Sequence, residues 1–317
     1  MFKKISITAL IVVIALIVIP YIAIAVDDKP LTEEVKSNAP GQFAKLTDGE
    51  IHYLWVEPEK HVANGKIIVM SHGLYYPNFM FTQNAQAFSD AGFKVLLFDH
   101  FGHGYSDRPT VDYTPGFFDQ EVSELIKAVG IDQPFILIGQ SMGGLIATQF
   151  TGNHPELVSK LLLFVPAGLK MHGDDDSFGA ILLRIPIVRD WVWRVFGRKT
   201  ITRVQGKPCD ICGEGKLLGD GLVQTKYEGY FESMLNILVN FKMRDRDSDY
   251  EKLGRNDVPV YAIFGEQDTT VHFDSANRLQ KAIPAATVVR LHEGDHALHV
   301  RHPEKVNQLI LAELTAE

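Results

Sequence analysis

Three residue types able to run one reaction stand at the ends of apolar runs. Ser141 lies in Gly139-Gln140-Ser141-Met142-Gly143-Gly144, directly after the run 135–138 and ahead of a helical stretch over 145–153. A serine at so sharp a strand-to-helix turn projects its hydroxyl over a sheet, and glycine on either side relieves the crowding of the turn. The helix start behind it offers backbone N–H groups that stabilise negative charge. Asp268 follows the run 258–264 in Gly265-Glu266-Gln267-Asp268, and His296 follows the run 287–291 in Gly294-Asp295-His296. A hydroxyl, an imidazole to take its proton and a carboxylate to orient the imidazole make up the apparatus of nucleophilic acyl transfer. An oxyanion needs two donors. The N–H of Met142 is one, and the N–H of Leu74, after the run 66–70 and Ser71-His72-Gly73, is the other.

The competing assignments around these residues are weaker. Glu266 sits inside the strand-end turn, so Asp268 is the better carboxylate. His292, His296, His299 and His302 are spaced by four, three and three, as a zinc-binding helix would space them, but Gly294 and Pro303 interrupt any long helix there. The serine chemistry calls for no metal and no organic cofactor. His72, His100 and His103 read as structural or loop residues, and Asp174-Asp175-Asp176 as a solvated turn.

The elements that must position these groups alternate along the chain. Residues 42–46 and 51–57 flank Thr47-Asp48-Gly49-Glu50 and read as a hairpin. The runs 66–70, 94–98, 135–138, 161–165, 258–264 and 287–291 are continuously apolar, as strands buried on both faces are. Helical candidates over 84–91 and 117–129 lie between them. The pattern predicts an α/β fold with a mostly parallel, doubly wound sheet. From 169 to 255 no strand-like run occurs. Helices are predicted over 178–196, interrupted at Pro186, and over 227–241, which reads as a helical cap inserted before the penultimate strand. The domain expectation is therefore a leader over 1–26, a linker over 27–40, a core over 41–168, the cap over 169–255 and the rest of the core over 256–317. Trp191 and Trp193, in the apolar part of the cap, are candidates to line a substrate pocket.

These motifs together resemble the α/β-hydrolase superfamily, as does Asp99-His100-Phe101-Gly102-His103-Gly104-Tyr105-Ser106-Asp107-Arg108-Pro109, which is similar to a D-x-x-G-x-G-x-S-x-R-P loop common there. The resemblance runs from about Gly41 to the C-terminus. The branch it looks most like contains the esterases, lipases and carbon–carbon bond hydrolases whose elbow reads Ser-Met-Gly-Gly. Ser141 separates the chain from haloalkane dehalogenases and epoxide hydrolases, whose nucleophile is Asp. The resemblance implies a serine hydrolase acting on a small-molecule carboxylic ester with an apolar part. A carbon–carbon bond hydrolase or a peptidase would use the same triad, and a non-catalytic binding protein of this fold is the reading from another class.

Composition is consistent with a folded enzyme. The 317 residues are 46% hydrophobic and 22% charged, with a net charge of −8 and two cysteines. A nucleic-acid binder would carry a basic footprint, which is missing. At the N-terminus, Lys3 and Lys4 precede twenty-two uncharged residues, 5–26, followed by Asp27 and Asp28. As one helix this run would reach about 33 Å, enough for a hydrocarbon core. It predicts a single membrane anchor with the body on the extracytoplasmic side, or secretion after cleavage following Ala25. In an exported protein, Cys209 and Cys212 would pair as a local disulfide.

Overall fold

The computed structural model describes residues 7–23, 28–173, 185–205 and 223–315. Eight strands form one sheet: β1 Gln42–Leu46, β2 Gly49–Val56, β3 Ile67–Ser71, β4 Lys94–Phe98, β5 Phe135–Gln140, β6 Val158–Phe164, β7 Val260–Gly265 and β8 Thr287–Leu291. Their order across the sheet is β1-β2-β4-β3-β5-β6-β7-β8. The β1–β2 and β2–β4 pairs are antiparallel and the rest parallel. Every predicted apolar run is a strand within a few residues. In the hairpin, Leu46 pairs with Gly49, so Thr47-Asp48 is the whole turn and Gly49, at φ 147°, opens β2.

The strands are buried on both faces because helices cover both. Ile68, Met70, Val95 and Ile138 face one core cluster, with Phe81, Phe88 and Ile310. Val69, Leu96, Leu137 and Leu161 alternate to the other cluster, with Phe118, Leu145 and Tyr250. The first cluster is covered by helices Thr82–Asp90 and Pro303–Thr315, the second by Pro115–Ala128, Met142–Asn153 and Asp247–Leu253. Each fully buried aliphatic or phenyl side chain contributes about 1.5–3 kcal/mol to this arrangement.

Sheet order also determines where a ligand can bind. From β3 the chain moves to β4 on one side, and from β5 to β6 on the other. The strand order therefore reverses between β3 and β5, and the crevice beyond their carboxyl ends is the binding position of an open α/β sheet. Leu74 follows β3 and Ser141 follows β5.

Between β6 and β7 the described residues are helical. Helix Pro186–Val192 starts at proline, as an N1 proline allows, and runs through a π-helical turn, Trp193–Gly197, into Arg198–Gln205. Glycine is required at 197 because the Trp193 indole lies against it, leaving no room for a Cβ. A 3₁₀ turn, Gln224–Lys226, and helix Tyr230–Asn240 follow. Residues 28–40 pack on the body: Lys29 bridges to Tyr227, and Lys36 pairs with Glu50 and Asp107, each at 2.7 Å. Cys209, Cys212 and Asp174–Asp176 lie outside the described residues.

The N-terminal expectation is corrected. The apolar helix described is Ile7–Ala23, 17 residues. Among the described residues, no helix is long and apolar enough to cross a membrane. The carbonyl of Ile17 instead accepts a hydrogen bond from Trp191 Nε1 at 2.7 Å. That of Tyr21 accepts one from Arg194 Nε at 2.9 Å, and the Arg194 guanidinium also covers the Tyr21 ring at 4.4 Å. The expected membrane anchor, on which the extracytoplasmic placement rested, is not borne out by the described residues.

Candidate active site

Ser141 sits at φ 51°, ψ −116°, a region a non-glycine residue occupies only when its surroundings enforce it. Here they do. Its N–H donates to Phe164 O on the neighbouring strand at 3.1 Å, and its carbonyl accepts from Leu145 N and Ala167 N. Glycine at 143 is needed for a close crossing, since a Cβ there would collide with the carbonyl oxygens of Ser71 and His72 at the end of β3. The turn is therefore held by the strands on both sides of β5.

The loops after β7 and β8 bring the other two groups. Asp268 is 5% exposed, and its Oδ1 accepts from the N–H of Thr270 at 2.7 Å and of Val271 at 2.9 Å. Its Oδ2 lies 2.8 Å from His296 Nδ1, and His296 Nε2 lies 2.9 Å from Ser141 Oγ. A carboxylate only accepts, so Nδ1 carries the hydrogen and Nε2 is left to accept from the serine hydroxyl. The two loops are joined by Gln267 N–H donating to Gly294 O and Glu266 N–H to Leu291 O, both at 2.9 Å. Gln140, beside the serine, donates to His296 O at 3.2 Å. Glu266 meets the exposed His292 instead, at 2.6 Å. His299 is buried between Phe81 and Phe164, and His302 faces Glu293 O.

The peptide between Gly73 and Leu74 is oriented from below. His72 Nδ1 donates to Gly73 O at 2.8 Å, and a trans peptide directs its N–H away from its C=O, so the Leu74 N–H faces the opposite side. Glycine at 73 permits contact with the elbow, since a Cβ would collide with Gln140 Oε1 and press on Ser141 Cβ. Among the described residues no acceptor engages the N–H of Leu74 or of Met142. Both N–H groups are thus left without an acceptor among these residues, one in the loop after β3 and the other at the helix start after β5.

Beneath this peptide is a buried polar layer that local sequence signals did not reveal. The backbone N–H of His100 donates to His72 Nε2 at 2.9 Å, fixing the tautomer that serves Gly73. His100 Nε2 lies 2.8 Å from Ser71 Oγ, and its Nδ1 makes a short contact with Glu121 Oε2. Glu121 Oε1 accepts from Phe101 N–H at 2.6 Å. Burial pushes the Glu121 carboxyl up to about 8 and the His72 and His100 imidazoles down to about 3, the latter two reinforcing each other at His72. Burial thus favours the uncharged form of all three groups. Asp99, one position before His100, stays a carboxylate. Burial opposes that, but His52 and the N–H of Asn78 outweigh it and hold the carboxyl below its usual range. Its grip on Asn78 anchors the loop that follows Leu74. Asp99 opens the segment Asp99–Pro109 with its regularly placed glycines, whereas Glu121 belongs to a helix with no local mark of its role.

The two tryptophans each have partners of their own. Trp191 turns its indole N–H to Ile17 O and packs edge-on to Phe196. Trp193 donates to Phe231 O at 2.8 Å and lines a cavity of about 450 Å³ with Tyr21, Arg194, Phe231 and Leu235. Among the described residues, no hydrogen bond or ring contact joins either one to Ser141 or His296.

A hydroxyl relayed through imidazole to carboxylate, at the switch point of a mostly parallel sheet, is the α/β-hydrolase arrangement, and the chain has the α/β-hydrolase fold. Residues 66–198 match the family described as alpha/beta hydrolase fold. A Pseudomonas sp. protein named 2-hydroxy-6-oxononadienedioate/2-hydroxy-6-oxononatrienedioate hydrolase is 26% identical over 284 residues, covering 85% of this chain and 95% of its own length. The enol-lactonase of Burkholderia xenovorans LB400 superposes with a TM-score of 0.69 at 23% identity, covering 86% of this chain and 100% of the other. Carboxylesterase CesB (YbfK) of Bacillus subtilis does so with a TM-score of 0.67 at 21% identity, covering 87% and 91%.

Proposed function

We propose that the chain is a serine hydrolase that cleaves a small carboxylic ester, with an apolar acyl or alcohol part, through an acyl-enzyme. The observation that carries this reading is the pair of contacts at His296, 2.8 Å to Asp268 and 2.9 Å to Ser141. Ser141 Oγ attacks the ester carbonyl while its proton passes to His296 Nε2, and Asp268 steadies the imidazolium. The oxyanion is held by the N–H groups of Leu74 and Met142, each worth about 3 kcal/mol in such sites. Collapse expels the alcohol, which takes the proton from His296. Water then repeats the sequence on the acyl-enzyme, releasing the acid and returning the proton to Ser141. The helices between β6 and β7 act in this reading as a cap over the carboxyl edge of the sheet.

A second reading, hydrolysis of a carbon–carbon bond, uses the same groups and is favoured by the name of the Pseudomonas relative, which aligns over nearly its whole length. A substrate screen across esters, lactones, amides and diketones separates the two. For either reading, a fluorophosphonate probe should label Ser141, and Ser141→Ala should abolish labelling and lower turnover by about 10³-fold or more. Full activity in that variant would remove the assignment.

A further inference from the structure

We infer that Gln224, in the segment between β6 and β7, is a positioning residue for the oxyanion site, so that this segment completes the catalytic machinery as well as covering it. The inference rests on the reading of Leu74 N–H as an oxyanion donor.

The residue after Leu74 is the point of control. Tyr75 has φ 75°, a backbone region that a bulky residue adopts only when neighbours hold it there. Its carbonyl is held by two side chains, Gln224 Nε2 at 2.5 Å and Tyr230 Oη at 3.3 Å. Gln224 is 2% exposed and uses its other end as well, its Oε1 accepting from Gly104 N–H at 2.8 Å. One amide therefore ties the loop after β3 to the loop after β4, from a segment more than a hundred residues further along the chain. The turn that carries it is pinned in its own right. Lys29 N–H donates to Lys226 O at 2.8 Å, and Glu228 N–H donates to Lys29 O at 2.9 Å. On the upstream side His72 fixes the Gly73–Leu74 peptide. Leu74 thus stands between two clamps, one from the sheet and one from the inserted segment. Removing the second lets Tyr75 relax toward an ordinary φ and turns the Leu74 N–H away from the oxyanion.

The test compares wild type with Gln224→Met, which keeps the side-chain length and loses both polar ends, and with Tyr230→Phe, which removes the longer bond to the Tyr75 carbonyl. Active sites are counted by fluorophosphonate labelling carried to its end point. Rates per labelled site and the affinity for a trifluoromethyl ketone, whose adduct carries an oxyanion, are then measured. For Gln224→Met the expected result is a loss in kcat of about 10- to 100-fold with little change in KM, and weaker ketone binding by a similar factor. Tyr230→Phe should show the same pattern at a smaller size. A Gln224→Met protein with fewer labelled sites and a lower Tm, but with wild-type kcat and ketone affinity per site, would overturn the inference in favour of a purely structural role. Failure of the underlying hydrolase reading is seen separately, as activity that survives Ser141→Ala.

Discussion

The histidine at position 296 has its two nitrogens committed in opposite directions, and the direction depends on Asp268. An amide in place of the carboxylate would donate to Nδ1 and so force the hydrogen onto Nε2, where it blocks proton transfer from Ser141. Asp268→Asn is expected to keep the circular dichroism of the wild type and lose about 10⁴-fold in kcat, as such tautomer reversals do. Oδ1 of Asp268 is held by two backbone N–H groups, so the new side chain would keep its carbonyl oxygen there and turn its NH₂ toward the imidazole. A fall of less than tenfold would mean that the hydrogen bond to Asp268 does not set the tautomer.

Glycines separate backbone geometry from chemistry at the scale of an element. Gly143 and Gly116 both lie in helices, yet a Cβ at 143 meets the carbonyls ending β3, while at 116 the nearest atom is Thr114 Oγ1 at 3.9 Å. Gly143→Ala should therefore lower Tm and abolish turnover, whereas Gly116→Ala should leave turnover intact and stabilise the fold by about 0.4–1 kcal/mol, read from urea unfolding. The same contrast explains which features were legible in the sequence. Apolar runs became strands because burial on both faces leaves a continuous local pattern, and Ser141, Asp268 and His296 each follow such a run. Glu121 and Gln224 carry no local pattern. They matter through partners about 20 and 120 to 150 residues away, and helix periodicity says nothing about which polar residue points into a layer of imidazoles. The apolar N-terminal run misled for a related reason: hydrophobicity counts residues, but the helix formed, Ile7–Ala23, offers carbonyls to Trp191 and Arg194.

For the molecule as a whole, buried imidazoles make stability depend on acid. Burial lowers His72, His100 and His299 to about 3 and His103 well below its ordinary value. In the unfolded chain each would titrate near 6.5. Between pH 6.5 and about 3 these imidazoles bind more protons in the unfolded state, so their share of stability is complete above pH 6.5 and falls as pH drops through this window. His299 is the simplest case, because neither ring nitrogen has a hydrogen-bond partner among the described residues and Phe81 and Phe164 flank it. Its share of the loss between pH 7 and pH 5 is about 2 kcal/mol. His299→Phe should shrink the pH 7 to pH 5 difference in urea-unfolding free energy by that amount. An unchanged difference would place the acid sensitivity in other groups.

The strand order has a consequence for how this chain becomes active. The groups at the site hang from β3, β5, β7 and β8, and in chain order the serine is separated from its base by 155 positions. Long-range pairings of this kind are the slow ones to form. A partly folded chain that has built β3 to β6 already owns the elbow and the two backbone N–H groups proposed for the oxyanion, yet its serine has no imidazole beside it until β7 and β8 dock on the far side of β6. During refolding, secondary structure is expected to recover first and catalytic turnover last, which makes hydrolytic turnover a clock for closure of the final two strands.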